Sequence, residues 1–428
     1  MDLSDDKPDL VAARSTGLAA VLSKKVERRL RPIFETRVRR TTYPLSDAGT
    51  ALTLDVGKID TGEVSSPLCE VEVEAKHGDK AQLFKIADKV ARATPAQLAL
   101  KSKAQRGYDL LANDRDAAAN ADPIALPPGL TTREAFRAIA YSCLKQVIDN
   151  KPALLNGDPE GVHQMRVGLR RLRSAISLFG DIIDGPQTDT IKQDLKWLTD
   201  ELGPARELEV FIAKVIAPAQ QHPRRWRGLS RISHDFVHRR AAAVERAGEA
   251  VRSERFRRLM LGVAGWLEIG EWTTPENDLV RERGAMPINL ASGQLTQRWR
   301  KIRKEGKKLA KLDPRSRHKL RIQAKKMRYA MDFYASTFAS SVKRREAFRS
   351  ALKEMQDCLG ELNDITAHRE LAAGVADRSG RRKRKAGDSK RTFAVGLLTG
   401  QEYGRLDAVL AAAEDAYAEL ADCKPFWK

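Results

Sequence analysis

No stretch of this 428-residue chain approaches the roughly 20 consecutive apolar residues that a helix needs to cross a bilayer, although 42% of its residues are hydrophobic. A chain without a membrane span is expected. Its first residues lack an apolar segment flanked by positive charge and carry Asp2, Asp5 and Asp6 instead, so no secretory signal is visible. Cysteine is scarce. Cys69, Cys143, Cys358 and Cys423 stand apart without paired spacing, which predicts free thiols in a reducing, cytoplasmic setting. Aromatic residues make up only 6%, and no stacking platform or recognition module stands out, which argues against sequence-specific reading of nucleic acid.

Positive charge is what the chain has in excess. Lys and Arg number 77 against 57 Asp and Glu, a net charge of +20. Residues 1–112 hold 19 of the cations and 16 of the carboxylates, a net of +3, which leaves +17 for the remainder. A surplus of that sign recruits polyanions: nucleic acid, an anionic membrane or polyphosphate. A merely soluble basic surface is the plain alternative, but scattered charge would not recur in register, and here it does.

The run HQMRVGLRRLR at 163–173 returns as HKLRIQAKKMR at 318–328, 155 positions later. His163, Arg166, Arg170 and Arg173 share their offsets with His318, Arg321, Lys325 and Arg328. At about 3.6 residues per turn, those offsets place one histidine and three cations on a single helical stripe. Met165, Leu169, Leu172 and Ile176, matched by Leu320, Ala324, Met327 and Met331, form an apolar stripe on another face. A second echo follows, LGPARELEV at 202–210 and LGELNDITA at 359–367, separated by 157. From about residue 130 onward the chain is therefore a tandem duplication.

Residues 9–30 carry helical periodicity up to Pro32; strands are expected at 33–40, 50–56 and 68–76, with turns at 47–49 and 65–67; a helix follows at 80–92 and a last short strand at 102–110. An Ala-, Asp- and Pro-rich linker spans 113–129. It separates a domain at 1–112 from one at 130–428. Beyond it the pattern is helical, starting from Thr131 as N-cap with Glu134 three residues on, and broken near 157–159, 185–186, 218–223, 273–275 and 374–387. The last break holds five consecutive cations, Arg381 to Lys385, read as a solvated loop.

Side-chain alternation in the third strand puts Glu70, Glu72, Glu74 and Lys76 on one face and Cys69, Val71, Val73 and Ala75 on the other. Stacked carboxylates repel one another unless a cation sits among them, and hard divalent metals such as Mg²⁺ favour oxygen ligands. Arg37 and Arg39 repeat the alternation with positive sign; Asp55, Lys103 and Arg106 extend the set. One solvated face of a half-exposed sheet is the plainer reading of the acidic ladder. His163 and His318, or His234 and His238 at i, i+4 on a helix, have metal-ligand character, but no Cys or Glu pattern completes either site, and phosphate contact or packing is the stronger reading. Glu207 and Asp364 read as structural anchors for neighbouring Arg side chains.

The segments PIFETRVRR (32–40), LDVGKIDTGE (54–63), PLCEVEVEAKHG (67–78) and SKAQRGYDL (102–110) resemble the second half of a CYTH domain, over residues 14–111. That resemblance implies a partial antiparallel β-barrel of the triphosphate-tunnel type. It also implies Mg²⁺ or Mn²⁺ at Glu70, Glu72 and Glu74, and triphosphate at Arg37, Arg39, Lys76, Lys103 and Arg106. The family's E-x-E-x-K strand is not found before Arg37, which leaves inorganic triphosphatase activity as an alternative function. The two basic helices with their echoes resemble the CHAD domain, the conserved histidine α-helical domain, over 130–425. This second resemblance implies two pseudo-symmetric four-helix bundles whose basic helices line a pore for inorganic polyphosphate. His163, Arg166, Arg170, Arg173, His318, Arg321, Lys325 and Arg328 would hold the polyanion without a cofactor.

The expectation is thus an α+β chain that binds polyphosphate in the cytoplasm, at polyphosphate granules. Triphosphatase activity and non-specific nucleic-acid binding are its alternatives.

Overall fold

The computed structural model describes residues 10–45, 49–75, 79–113, 116–221, 228–288, 291–380 and 386–428. Counting helices of eight residues or more, the order is β1 (Glu35–Pro44), β2 (Thr50–Asp60), β3 (Ser65–Ala75), α1 (Lys80–Ala93), α2 (Lys103–Leu111), α3 (Thr132–Asp149), α4 (Pro159–Leu178), α5 (Pro186–Phe211), α6 (Leu229–Arg252), α7 (Glu254–Ile269), α8 (Asp278–Ala285), α9 (Ala291–Gly306), α10 (Pro314–Phe333), α11 (Val342–Gly380), α12 (Ala386–Gly404) and α13 (Leu406–Asp422). Two compact units result: one contains the sheet and α2, the other contains α1 and α3–α13.

In the first unit, β1, β2 and β3 form an antiparallel meander. The reversal between β2 and β3 lies at 61–64, where Thr61 N–H donates to the Val64 carbonyl at 3.0 Å and Gly62 adopts φ +87°; residues 65–67, expected to turn, belong to β3. Segment 102–110, expected as a strand, is helical. Ser102 and Gln105 form a reciprocal capping box that starts α2, a signal the strand reading overlooked. Gly107 faces the Phe34 ring, where a Cβ would stand 2.3 Å from a ring carbon, so the small core of Phe34, Ile59, Leu68 and Leu110 closes only around glycine. The single helix expected at 9–30 is three short turns. Thr16 and Ser23 each accept a backbone N–H and restart the chain, because short hydroxyl side chains compete with helical hydrogen bonds. Arg14 and Glu27 pair across these turns at 2.7 Å.

The second unit carries out the duplication. Among the described residues, helices α3–α7 and α9–α13 follow one another in the same order in the two repeats. Both basic helices, α4 and α10, are 20 residues long and open with Asp-Pro: Asp158 and Asp313 cap the backbone, and Pro159 and Pro314 fill the first-turn position where a missing N–H costs nothing. Both end on a buried aromatic, Phe179 and Tyr334, and these two rings meet edge to face at 6.2 Å. Phe211 and His368, separated by the 157 of the second echo, also touch, with ring centroids 5.2 Å apart. Equivalent positions that contact one another mark a pseudo-two-fold axis. One continuous apolar core runs through both repeats from Leu126 to Trp427. Thr131 and Glu134 make the expected capping box, whereas α11 runs unbroken through Gly374. Helix α1 packs on α7, with Phe84 lying 3.2 Å from where a Cβ on Gly265 would stand and Lys80 bonded to Glu268 at 2.6 Å.

Candidate functional site

Helices α4 and α10 pack against each other, and their basic stripes meet at the pseudo-axis. The apolar stripes expected from the sequence are buried: Met165, Leu169 and Leu172 on α4, Leu320, Ala324 and Met327 on α10. What remains between the helices is a group of cations. Arg170 lies close enough to Arg166, Arg321 and Lys325 to disfavour their charged forms, and Arg328 acts on Lys325 as well. Burial first, and then Arg321, Arg170 and Arg328, push the Lys325 ammonium down to about 7. Burial lowers Arg166 and Arg321 too, with Glu207 and Asp364 offsetting part of the effect. Among the described residues, none of Arg166, Arg170, Arg321 and Lys325 forms an ion pair, and the Nε atoms of Arg170 and Arg321 are shielded from solvent without a hydrogen-bond partner. Like charges gathered in low dielectric with unused donors are costly unless an anion joins them.

The second echo explains how two of these arginines are held. The Arg166 guanidinium lies over Gly203 and Arg321 lies over Gly360, each with a nitrogen only 3.3 Å and 3.4 Å from where a Cβ would stand. The glycine of each LG pair is thus a bare patch of helix on which the arginine rests. Arg166 also donates to the Thr199 carbonyl at 3.0 Å, one residue before the carbonyl that Pro204 leaves without its helical donor. Symmetry fails beside the histidines. Asn363 bonds His318 Nδ1, whereas the equivalent Arg206 lies beside His163 and, after burial, is the main reason His163 favours its neutral form.

In the sheet, strand register sorts the charges differently from the ladder reading. Arg40 pairs with Asp55 and Asp55 with Glu70 across the strands, so Arg40, Asp55, Glu70, Glu72 and Glu74 share one face. Arg37 and Arg39 lie opposite Lys58 and Val56, on the other face with Cys69 and Val71. Arg40 makes a two-pronged bond to Asp55 at 2.8 Å and 2.7 Å and reaches Glu72 at 2.9 Å. Lys103, from the first turn of α2, puts its Nζ 2.9 Å from Asp55, 2.9 Å from Glu70 and 2.5 Å from Glu72. The point where three carboxylates converge is therefore filled by an ammonium group, and the residues as arranged do not fit a divalent ion. Asp55 is fully buried, and Arg40, with Lys103 after it, holds its carboxyl far below the usual range. Among the described residues Arg106 reaches only the Pro67 carbonyl, at 3.5 Å, and Lys76 lies outside them.

The sequence model of the CHAD domain matches residues 138–373, more than half of the chain. The chain belongs to the CHAD family. A CYTH domain model matches residues 8–108. Among solved structures, the CHAD domain from the plant Ricinus communis superposes with a TM-score of 0.57 at 27% identity, covering 72% of this chain and 98% of that one. PptA from Streptomyces chartreusis shares the fold with a TM-score of 0.53 at 15% identity, covering 68% of this chain and all of that one.

Within the CHAD domain the predicted stripe is only partly gathered. Arg166, Arg170, Arg321, Lys325 and Arg328 act on one another. His163 joins their first-repeat end, while Arg173 is exposed and acts instead on Lys326. His318 is exposed and bound to Asn363. Asp364 pairs with Lys214 at 2.9 Å and acts on Arg321 through its charge alone, not through the bond to arginine expected of it. Arg206 was not singled out in the sequence, although it stands in the first echo where the second has Asn363. His234 and His238 do converge, Nε2 to Nε2 at 3.0 Å, but no group of three metal-binding side chains occurs among the described residues. Arg381 to Lys385 lie outside them.

Proposed function

We propose that the CHAD domain binds inorganic polyphosphate between α4 and α10, with Arg166, Arg170, Arg321 and Lys325 at its centre, His163, Arg206 and Arg328 beside them, and Arg173 and His318 further along the stripes. The observation that supports this reading is the cluster of four cations that form no ion pair among the described residues, two of them keeping shielded Nε donors unused. Arginine offers a planar fork that meets two phosphate oxygens at once, and cations spaced three and four residues apart recur about every 5 Å along a helix. A flexible chain bearing about one charge per phosphate can follow such a row, with no base for the protein to read. In this reading residues 130–428 are the binding domain and 113–129 the linker.

A competition assay at physiological salt tests the choice of ligand. Labelled long-chain polyphosphate should stay bound in the presence of equal phosphate concentrations of DNA or RNA. Displacement by either nucleic acid at equal concentration contradicts the proposal and favours non-specific binding to any polyanion.

A further inference from the structure

We infer that Lys103 takes the place of a divalent cation in the sheet, so that the acidic face is a lysine-locked cluster and becomes a metal site only when that lysine is removed. Three carboxylate oxygens, one each from Asp55, Glu70 and Glu72, converge on Lys103 Nζ at 2.5–2.9 Å. A divalent ion drawing on the same oxygens would have to stand where the ammonium stands. Mg²⁺ requires ligand distances of about 2.0–2.1 Å in near-octahedral order, so it cannot share the position.

Displacing the lysine is hard for three reasons. Asp55 is fully buried and already committed to Arg40 through two bonds, so one of the three carboxylates cannot swing toward an incoming ion. Lys103 lies within the Ser102–Gln105 capping box that starts α2, and the packing of Gly107 against Phe34 seats the same helix, so the helix delivers the ammonium from a fixed position. Removing the ammonium would also leave Asp55 and Glu70 facing each other across paired strands with only Arg40 between them and repulsion. Among the described residues of this face two cations, Arg40 and Lys103, stand against four carboxylates, Asp55, Glu70, Glu72 and Glu74. The balance is negative, so the face repels triphosphate rather than gathering it, and Arg37 and Arg39 point away from it. Anion capture then belongs to the helical unit.

The test is binding of Mn²⁺ alone to the full-length chain, read by loss of the free-ion electron paramagnetic resonance signal. Wild-type protein and Glu72→Gln should bind Mn²⁺ indistinguishably. Lys103→Met should gain one additional site per chain, and Lys103→Met with Glu72→Gln should lose it again. Wild-type binding that disappears in Glu72→Gln would overturn the inference, as would a folded Lys103→Met that gains no site. The wild-type comparison decides even if Lys103→Met does not fold. None of these outcomes depends on whether the helical unit binds polyphosphate.

Discussion

Glycine and arginine form one unit at the residue scale. Gly203 and Gly360 sit in helix interiors, where alanine is ordinarily preferred by about 0.5–1 kcal/mol, yet both lie beneath a guanidinium. Gly360→Ala should therefore raise thermal stability and leave polyphosphate binding close to unchanged, because the new methyl meets the Arg321 guanidinium at 3.4 Å, an ordinary contact distance. Melting curves and binding isotherms on the same sample check this; a loss of binding would mean that Arg321 needs the bare glycine beneath it. Lys325 gives a pH dependence. With its proton affinity reduced to about 7 by burial and by Arg321, Arg170 and Arg328, it is largely neutral above that pH in the free protein. A polyanion restores the charge, so binding takes up a proton between about 7 and 10.4, the ordinary value for lysine, and affinity falls as pH rises through that window. Below it the lysine is already charged and the dependence vanishes. Calorimetry in buffers of different ionisation heat should detect the uptake at pH 8, and Lys325→Arg should abolish it.

At the scale of elements, what could be read from the sequence was whatever repeats or caps locally. The apolar stripes of α4 and α10 and the Thr131 capping box are short-range patterns, and each appears where expected. The second echo was visible but not its purpose, because Arg166 on Gly203 is a contact between residues 37 positions apart that no periodicity announces. The sheet misled for a related reason. Alternation fixes which residues share a face within one strand, but only the register between strands says which faces coincide, and register put Arg40 beside the carboxylates instead of Arg37 and Arg39. The strand reading of 102–110 lost to the Ser102–Gln105 capping box. Close approach of α3 and α4 gives a prediction at this scale. A Cβ on Gly168 would stand 3.0 Å from Val147 Cγ2 and 3.2 Å from its backbone nitrogen, so Gly168→Val should destabilise the helical unit by about 1–3 kcal/mol without touching any cation of the cluster. Denaturant unfolding measures it; an unchanged midpoint would mean that the two helices separate freely. In the sheet unit, the depressed Asp55 carboxyl contributes stability that is present above its unfolded value of about 3.9 and lost only as pH falls through its much lower folded value.

For the whole molecule, the duplication is a way of assembling a charge cluster that neither half could hold alone. One repeat supplies Arg166 and Arg170, the other Arg321 and Lys325, and the shared apolar core holds them together. The net charge of +20 draws polyanions from a distance, and salt screens that attraction over about 8 Å at physiological ionic strength. Long-range charge alone would make all cations roughly interchangeable; a built site would not. The most direct test is therefore the affinity of the full-length chain for long-chain polyphosphate after two different neutralisations. Changing Arg166, Arg170, Arg321 and Lys325 together to Gln should weaken binding by about two orders of magnitude or more, since charge-assisted hydrogen bonds are worth about 1.5–3 kcal/mol each and a factor of ten is about 1.4 kcal/mol. Changing Arg381 to Lys385 to Gln removes one more charge and should cost only a few-fold. Equal losses from the two sets would contradict a localised site between α4 and α10.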